Sequence, residues 1–161
     1  MQLSPLRPIW PLLTALASGA LLAGAHAFET LGGLHPCALC LKQREWHWGV
    51  LALSIVMLIV FRLRPGFNRW GVMVIGLALL GSAAMASYHV AVEHHWITAQ
   101  CETSGAGDSL TFDPNAELVV PSCDQIAWSM LGISMAGYNA LISLSLAFAS
   151  FAVALAPERK P

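Results

Sequence analysis

The sequence predicts an all-α membrane protein, a bundle of four transmembrane helices with two loops on one side of the bilayer. Of its 161 residues, 57% are hydrophobic and only 11% are charged, whereas an ordinary soluble domain is about 25% charged. This composition argues strongly against a soluble domain. The net charge of −1 and a sequence without a basic stripe argue against nucleic-acid binding. We expect a single membrane domain over residues 1–161.

Four apolar segments each approach the ~20 residues that are needed to cross a bilayer. The second is continuously apolar only over Trp46–Phe61, so its helix must begin earlier and carry polar residues in its first turns. Pro36 suits the start of such a helix, because its missing N–H is not needed there. The predicted spans are 9–28, 38–61, 70–92 and 132–156, and the outward segments are 29–37 and 93–131.

The distribution of Lys and Arg predicts the orientation, because basic residues concentrate in cytoplasmic loops. Six bases lie near the two chain ends and in the connection between the second and third spans, and two lie on the other side. Both termini are therefore predicted to be cytoplasmic. The six are Arg7, Arg62, Arg64, Arg69, Arg159 and Lys160, and the two are Lys42 and Arg44.

The first span raises the alternative of a cleaved signal peptide. Ala25-His26-Ala27 has the small-x-small form of a signal-peptidase site and follows an apolar run. That run is longer than a usual signal peptide core, and a single Arg precedes it, so we favour an uncleaved span. Either outcome leaves the outward segments outside.

All four cysteines fall on the outward side, within residues 29–45 and 93–134, where disulfides persist. Cys37 and Cys40 form a Cys-x-x-Cys pair, and Cys101 and Cys123 lie in the second loop. A bridge that closes so small a loop adds little stability in the chain-entropy picture, but it makes a reversible redox couple. We interpret Cys37 and Cys40 as redox-active. Taken alone, Cys101 and Cys123 favour a structural disulfide, and two structural disulfides remain the alternative for all four.

A metal site must be weighed because His35 and His47 flank the Cys-x-x-Cys pair. Zinc would need four ligands at finger-like spacing, and the sequence has no second Cys-x-x-Cys and no His-x-x-x-His. Leu41 follows Cys40, which excludes the covalent haem motif. We therefore expect no metal.

The start of the second span favours thiolate chemistry. Free N–H groups and the helix dipole stabilise a thiolate in the first turn of a helix. Arg44 lies four residues after Cys40, on the same helix face. By itself an Arg near a helix end extends harmlessly to the interface, but beside Cys40 it becomes a donor to an electron acceptor. An acceptor reached from the lipid at that depth is most simply a quinone.

These features together resemble the DsbB family of inner-membrane disulfide-generating proteins. The resemblance covers nearly the whole chain: four spans, a Cys-x-x-Cys pair at the outer start of the second, a spaced cysteine pair in the second outward loop, and an Arg four residues after the second cysteine. The local match is the segment PCALCLKQR at residues 36–44. This combination is far more specific than Cys-x-x-Cys alone.

The resemblance implies an enzyme, a protein-dithiol:quinone oxidoreductase that reoxidises a periplasmic thioredoxin-fold dithiol oxidase of the DsbA type. The partner's thiolate would attack Cys101, and the Cys101–Cys123 bridge would be regenerated by transfer to Cys37–Cys40, with Cys123 meeting Cys37. Cys40 would then reduce bound ubiquinone or menaquinone, with Arg44 hydrogen-bonded to a quinone oxygen. Quinone is the implied cofactor, and we expect a monomer in the bacterial inner membrane.

Two positions match the family less cleanly. The family often has a Glu-His pair near the outer end of the third span, and Glu93-His94 fits that description. His94 is therefore predicted as a quinone-side residue, with His89 and His95 as rivals and a solvated interfacial histidine as the alternative. Gln43 stands where some members have Glu.

The second outward loop is acidic. Residues 93–134 contain six acids and neither Lys nor Arg. Topology alone removes bases from short outward loops, and the alternative is electrostatic steering of a basic face on the partner. Apolar residues around Trp128 and Met130 predict a short amphipathic turn on the interface before the fourth span. The acids are Glu93, Glu102, Asp108, Asp113, Glu117 and Asp124.

The rival function is a non-catalytic four-helix membrane protein with structural periplasmic disulfides, serving as an interaction module. The two hypotheses differ in the behaviour of the thiols. Structural bridges resist a mild dithiol reductant, whereas a redox pair at Cys37 and Cys40 cycles when quinone is added.

Overall fold

The computed structural model describes residues 3–98 and 122–157 and has the predicted four-helix architecture. Each helix is long and apolar enough to cross a membrane, so the all-α membrane fold is confirmed. The second helix does begin at residue 38, and the helix ends differ from the predicted spans by at most three residues. The helices are α1 (Trp10–Thr30), α2 (Ala38–Leu63), α3 (Asn68–Glu93) and α4 (Met135–Leu155).

The bundle is up-and-down, so each end collects termini from all four helices. We call the end that carries Cys37 the thiol end, and it holds the last turn of α1, the first turn of α2, the last turn of α3 and the first turn of α4. We call the opposite end, which carries Arg7, the Arg7 end. There α2 ends at Leu63 and a single 3₁₀ turn, Pro65–Phe67, leads into α3, because the residue before a proline disfavours helical backbone.

The helices approach each other most closely at small residues. α3 packs most extensively against α4, and a Cβ added at Gly76 would lie 3.0 Å from the Cβ of Ser150. At Gly81 an added Cβ would lie 2.7 Å from the Trp46 ring of α2. Small residues at such contacts are typical of membrane helices, because lipid supplies no hydrophobic force between them.

The apolar core is narrow, and many large apolar side chains point outward. Val50, Ile75 and Leu79 are fully buried at the centre of the bundle, whereas Leu16 and Phe148 are more than half exposed. An exposed apolar surface of this kind is suited to contact with lipid.

Hydrogen bonds between buried hydroxyl groups connect the helices through this core. Thr14 Oγ1 of α1 lies 2.9 Å from Ser54 Oγ of α2, and Ser82 Oγ of α3 lies 3.3 Å from Ser143 Oγ of α4. The Trp10 indole donates to Ser150 Oγ at 2.9 Å. Such side-chain bonds hold membrane helices together because a lone polar group in hydrocarbon is costly.

The Arg7 end is closed by a buried arginine. Arg7 is 6% exposed, and its guanidinium donates to the carbonyls of Val153 at 3.1 Å and Ala154 at 3.2 Å, and to that of Ala156. The last carbonyls of an α-helix have no partners within the helix, and a cation also complements their partial negative charge. Arg7 therefore caps the end of α4.

The segment before α4 forms a short hairpin, a structure that the predicted amphipathic turn did not specify. Strands β1 (Ser129–Met130) and β2 (Ile133–Ser134) pair antiparallel, with Met130 opposite Ile133. The two residues between them, Leu131 and Gly132, both have positive φ, at 52° and 79°. This backbone is that of a two-residue hairpin turn, which periodicity in the apolar residues did not reveal.

Candidate active site

The Cys-x-x-Cys pair lies at the first residues of α2. Cys37 is the N-cap, and its Sγ accepts a hydrogen bond from the Cys40 backbone N–H at 3.2 Å. Pro36 therefore directly precedes the cap of α2. The sulfur takes the role that an oxygen usually has at this position, so the helix start and the thiol share one contact.

Both sulfurs are free thiols in this state. Cys37 is buried, at 6% exposed, and Cys40 is half-buried. A side-chain hydrogen bond with Cys40, together with burial, raises the pKa of the Cys37 thiol above its ordinary value, against the opposing effect of the backbone N–H groups.

A histidine from α3 completes the thiol cluster. His89 is buried, and its Nε2 lies 3.7 Å from Cys37 Sγ. Its Nδ1 lies 2.6 Å from the Gln43 amide nitrogen. The imidazole thus stands between the thiol and a side-chain amide that fixes the ring.

The two cysteine sulfurs and the His89 imidazole also resemble part of a metal site. One ligand atom from each of Cys37, Cys40 and His89 lies within 4.8 Å of the others. Two thiolates and an imidazole are ligands that zinc takes, but a structural zinc site uses four. Within residues 3–98 and 122–157 the cluster has three members, and we propose no resident metal.

Cys123, from the second cysteine pair, lies at the same end of the bundle. Cys123 is 1% exposed and disulfide-bonded, and it packs with Cys37 and Val92 in one buried cluster. The backbone of Cys123 also makes a hydrogen bond with His89. Cys101 and most of the acidic loop lie outside the described residues.

Arg44 is held by α1 rather than free. Its guanidinium donates to Glu29 Oε2 at 2.5 Å and to the Ala25 carbonyl at 3.2 Å, and its side chain is 14% exposed. The position of Arg44 was predictable from the sequence, but its partner Glu29 was not. The negative charge of Glu29 offsets the positive charge of Arg44 near the thiol pair.

The acid at the end of α3 is fixed by the helix that follows. Glu93 is 9% exposed, and its Oε2 accepts a hydrogen bond from Ser134 Oγ at 2.5 Å. The same hydroxyl oxygen caps α4 by accepting from the Gly137 N–H at 3.1 Å. This double contact ties the ends of α3 and α4 together at the thiol end.

A cavity of about 340 Å³ opens beside the thiols, within the range of about 300–1,000 Å³ that small-molecule sites occupy. Apolar side chains of α1, α4 and the segment before α4 form much of its wall, and Phe28 and Trp128 pack there with ring centres 5.0 Å apart. The polar side chains that line it include those of Cys37, Cys40, Gln43, Arg44, His47, His89, Glu93 and Asn139.

The predicted quinone-side histidine is not among the lining residues. His94 ends α3, is exposed, and stacks on Trp96 with ring centres 5.2 Å apart. His89, five residues earlier, lines the cavity. The signal in the sequence is the spacing of His89 and Glu93, which are four residues apart and so share the inner face of α3.

Together these features define a class: a multi-pass membrane protein with a buried thiol pair at a ligand-sized cavity. Comparison with known proteins identifies the group within that class. The family model described as Disulfide bond formation protein DsbB matches residues 7–153. The chain belongs to the DsbB family, whose members act in disulfide bond formation.

Individual relatives agree with the family model. A protein named Disulfide bond formation protein B from Actinobacillus pleuropneumoniae is 32% identical over 165 aligned positions, covering 94% of this chain and 84% of that protein. Proteins of the same name from Acinetobacter baumannii, 32% identical with 76% of each chain covered, and Methylococcus capsulatus, 30% identical with 84% of this chain and 86% of the other covered, are also similar. No solved structure matches.

Proposed function

We propose that this protein is a membrane thiol oxidase that reoxidises a periplasmic thioredoxin-fold dithiol oxidase of the DsbA type and passes the electrons to a membrane quinone. The observation that carries the proposal is the position of the Cys37–Cys40 pair at the wall of the cavity. Thiols that exchange with a protein outside the membrane must be accessible from the aqueous side. Thiols that deliver electrons to a lipid-soluble acceptor must also be accessible from the lipid.

The relay uses the two cysteine couples in series. A thiolate of the partner attacks Cys101 of a Cys101–Cys123 disulfide, and Cys123 leaves as the thiolate. Cys123 then attacks Cys37 of a Cys37–Cys40 disulfide, and Cys40 leaves as the thiolate. The second thiolate of the partner displaces Cys101, which attacks Cys123 and releases Cys37. The Cys101–Cys123 disulfide is thereby restored, and Cys37 and Cys40 are left as a pair of thiols. The presence of Cys37 and Cys123 in one buried cluster with Val92 supports the second exchange, because it keeps the two residues at the same end of the bundle.

The cavity fits a quinone head group in size and chemistry. It combines apolar walls with a few polar groups, Arg44 among them, next to the Cys40 thiol. Ubiquinone or menaquinone bound there would take up the two electrons and two protons that are released when a pair of thiols becomes a disulfide. The protein's own part is to hold the thiols, exclude water and present hydrogen-bond partners.

The orientation follows from charge and position. Arg62, Arg64 and Arg69 lie at the Arg7 end, around the short turn between α2 and α3, and basic residues favour the cytoplasmic side. We therefore place the thiol end at the periplasmic face of the bacterial inner membrane and both chain ends in the cytoplasm. We propose a monomer.

The rival, a non-catalytic interaction module with structural disulfides, is less well supported by the site. Cys37 lies 3.7 Å from a buried imidazole, and both Cys37 and Cys40 line the cavity. A structural disulfide needs neither a neighbouring histidine nor a cavity. The three groups together favour exchange chemistry over cross-linking.

The experiment is quinone reduction by the purified full-length protein, followed by ultraviolet absorbance, with a reduced thioredoxin-fold dithiol protein as donor. Cys40→Ser should abolish quinone reduction with every donor. Cys101→Ser should block the protein donor but retain reduction driven by dithiothreitol, because the small reductant reaches the Cys37–Cys40 pair directly. Retained quinone reduction in Cys40→Ser, or identical behaviour of the two variants, would rule out the relay.

A further inference from the structure

The side chains of Cys37, Cys40 and His89 suit a second kind of chemistry besides thiol exchange. Their three ligand atoms lie within 4.8 Å of one another. Cys-x-x-Cys is a spacing at which two cysteines commonly bind one zinc ion. The sequence alone shows no third ligand at a finger-like spacing, because His89 comes from α3 and follows Cys37 by 52 residues. The fold brings that third ligand to the pair.

The separation of the imidazole and the first sulfur suits tetrahedral zinc. Zinc takes thiolate sulfur at about 2.3 Å and imidazole nitrogen at about 2.0 Å, which places two such ligand atoms roughly 3.5 Å apart at the tetrahedral angle. His89 Nε2 lies 3.7 Å from Cys37 Sγ. These two atoms can therefore share one ion after a small shift of either side chain.

The groups around the ligand atoms also suit a bound cation. The Cys40 backbone N–H donates to Cys37 Sγ at 3.2 Å, and this bond offsets part of the negative charge of a thiolate. The Gln43 amide lies 2.6 Å from His89 Nδ1. When Nε2 binds a metal, Nδ1 carries the hydrogen and needs an acceptor. The amides of Gln43 and of Asn139 behind it can both turn over, so that acceptor is available.

The cluster is open enough for an ion to enter. Cys40 is half-buried and lines the cavity together with Cys37 and His89. The charges beside the cavity do not oppose a cation, because Glu29 offsets the charge of Arg44. Three protein ligands leave the fourth tetrahedral position for water, as in catalytic zinc sites. No further side chain is needed.

We propose that the reduced, dithiol form of the protein captures a Zn²⁺ ion with Cys37, Cys40 and His89, and that this capture inhibits the enzyme. The inference concerns the regulation of the proposed thiol oxidase and rests on that function. Two Zn–S bonds and one Zn–N bond form, and the two thiols release their protons. Zinc undergoes no redox change, so it accepts no electrons, and the bound sulfurs cannot join as a disulfide. The ion is an inhibitor and not a resident cofactor.

Metal binding by the two sulfurs alone makes a different prediction. In that case His89 would not matter, and zinc would behave like any reagent directed at a pair of thiols. Phenylarsine oxide is such a reagent, because trivalent arsenic binds two sulfurs and needs no imidazole. The comparison of zinc with phenylarsine oxide therefore isolates the contribution of the histidine.

The test is titration of the reduced full-length protein with Co²⁺, which reports its ligands by absorbance, followed by displacement with Zn²⁺. Replacing Cys101 and Cys123 by Ser removes the other two cysteines, and a phosphine keeps the remaining pair reduced. We expect the visible bands of tetrahedral cobalt and a thiolate-to-cobalt charge-transfer band. The disulfide form of the same variant should show neither.

Substitutions at the histidine test the third ligand. His89→Phe keeps a flat ring without the ligand atom. It should weaken Zn²⁺ binding by roughly 100-fold, since even an outer-shell partner is worth about 10–100-fold, and should leave the binding of phenylarsine oxide nearly unchanged. His89→Cys supplies a third thiol and should restore tight binding. His94→Phe, the matched control, removes an exposed histidine and should bind Zn²⁺ as tightly as the chain with native His94.

X-ray absorption at the zinc edge decides the question if His89→Phe does not fold. In the chain with native His89 it should show two sulfur ligands and the outer-shell scattering of an imidazole. Sulfur ligands without imidazole scattering would overturn the proposed site. So would equal metal binding by the dithiol and disulfide forms, or an unchanged Zn²⁺ affinity in folded His89→Phe.

The effect on turnover is measured separately, in the protein with all four cysteines. Inhibition of quinone reduction by Zn²⁺ that is reversed by EDTA supports the regulatory role. If zinc binds the cluster and turnover is unaffected, the regulatory role is wrong. If the cluster binds zinc but no quinone is reduced even in the absence of metal, the proposed function fails and the metal site stands.

Discussion

The two ends of the bundle both bury polar side chains, but they satisfy them differently. At the Arg7 end a guanidinium donates to main-chain carbonyls at the end of α4, and the Trp10 indole bonds to Ser150. At the thiol end, side chains bond chiefly to other side chains, from Cys37 to His47, beside a cavity. Main-chain partners are fixed by the helix itself, whereas side-chain partners can be rearranged by a ligand or by a redox change.

The comparison implies that the thiol end determines turnover and the Arg7 end determines stability. Each end offers a substitution that should affect one property and leave the other nearly unchanged. The three predictions below run from the largest expected effect to the smallest.

His89→Phe should reduce turnover by roughly 100-fold. It removes the contact between the imidazole and Cys37 Sγ that positions the thiol, and it leaves the Gln43 amide without its partner. The accompanying loss of unfolding free energy should be only about 1 kcal/mol. Steady-state quinone reduction and unfolding in mixed detergent measure the two effects.

His94→Phe is the matched variant for this prediction. His94 is exposed and lies outside the cavity lining, so its replacement should leave turnover within about twofold, as expected for a surface site. The opposite result, a large loss for His94→Phe and none for His89→Phe, would return the quinone-side role to the residue that the sequence predicted.

Arg7→Ala should lower the unfolding free energy by about 2 kcal/mol, because it leaves buried carbonyls at the end of α4 without a donor. Turnover per folded molecule should not change. Arg62→Ala removes an exposed base from the same end and should leave stability nearly unaltered. A loss of turnover in folded Arg7→Ala would contradict the division between the two ends.

Glu29→Gln should lower the apparent KM for quinone by about threefold, because weakening the ion pair frees the Arg44 guanidinium to bond with a ligand oxygen. Glu45→Gln is the control, since Glu45 pairs with Lys42 at 3.0 Å on the exposed surface, where ion pairs contribute little. An unchanged KM in Glu29→Gln would mean that Arg44 stays with α1 during turnover.

The sequence predicted the four-helix fold because the length and apolar character of a span depend on local composition. It also predicted that α2 begins near residue 38, with Gln43 and His47 inside a membrane helix. The structure explains how those polar residues are tolerated: both face the interior and bond across to α3 or α4. The partners themselves were not predictable, because they depend on how the helices rotate against each other.

The histidine at the site illustrates the same limit. A dipeptide match favoured His94, but α3 continues to Glu93, and one further residue turns the side chain about 100° around the helix axis. His89 and Glu93, one turn apart, therefore face the cavity while His94 does not. Likewise, the pairing of Arg44 with Glu29 depends on the path between α1 and α2, which composition does not determine.

The hairpin before α4 also limits how far Cys123 can travel. It folds residues 129–134 into a paired unit at the start of α4, so the tether that holds Cys123 is the five-residue stretch Asp124–Trp128. Fully extended, five residues span at most about 18 Å. As long as the hairpin is folded, the tether of Cys123 is shorter than the membrane is thick. Cys123 can therefore reach a second sulfur only at the thiol end of the bundle.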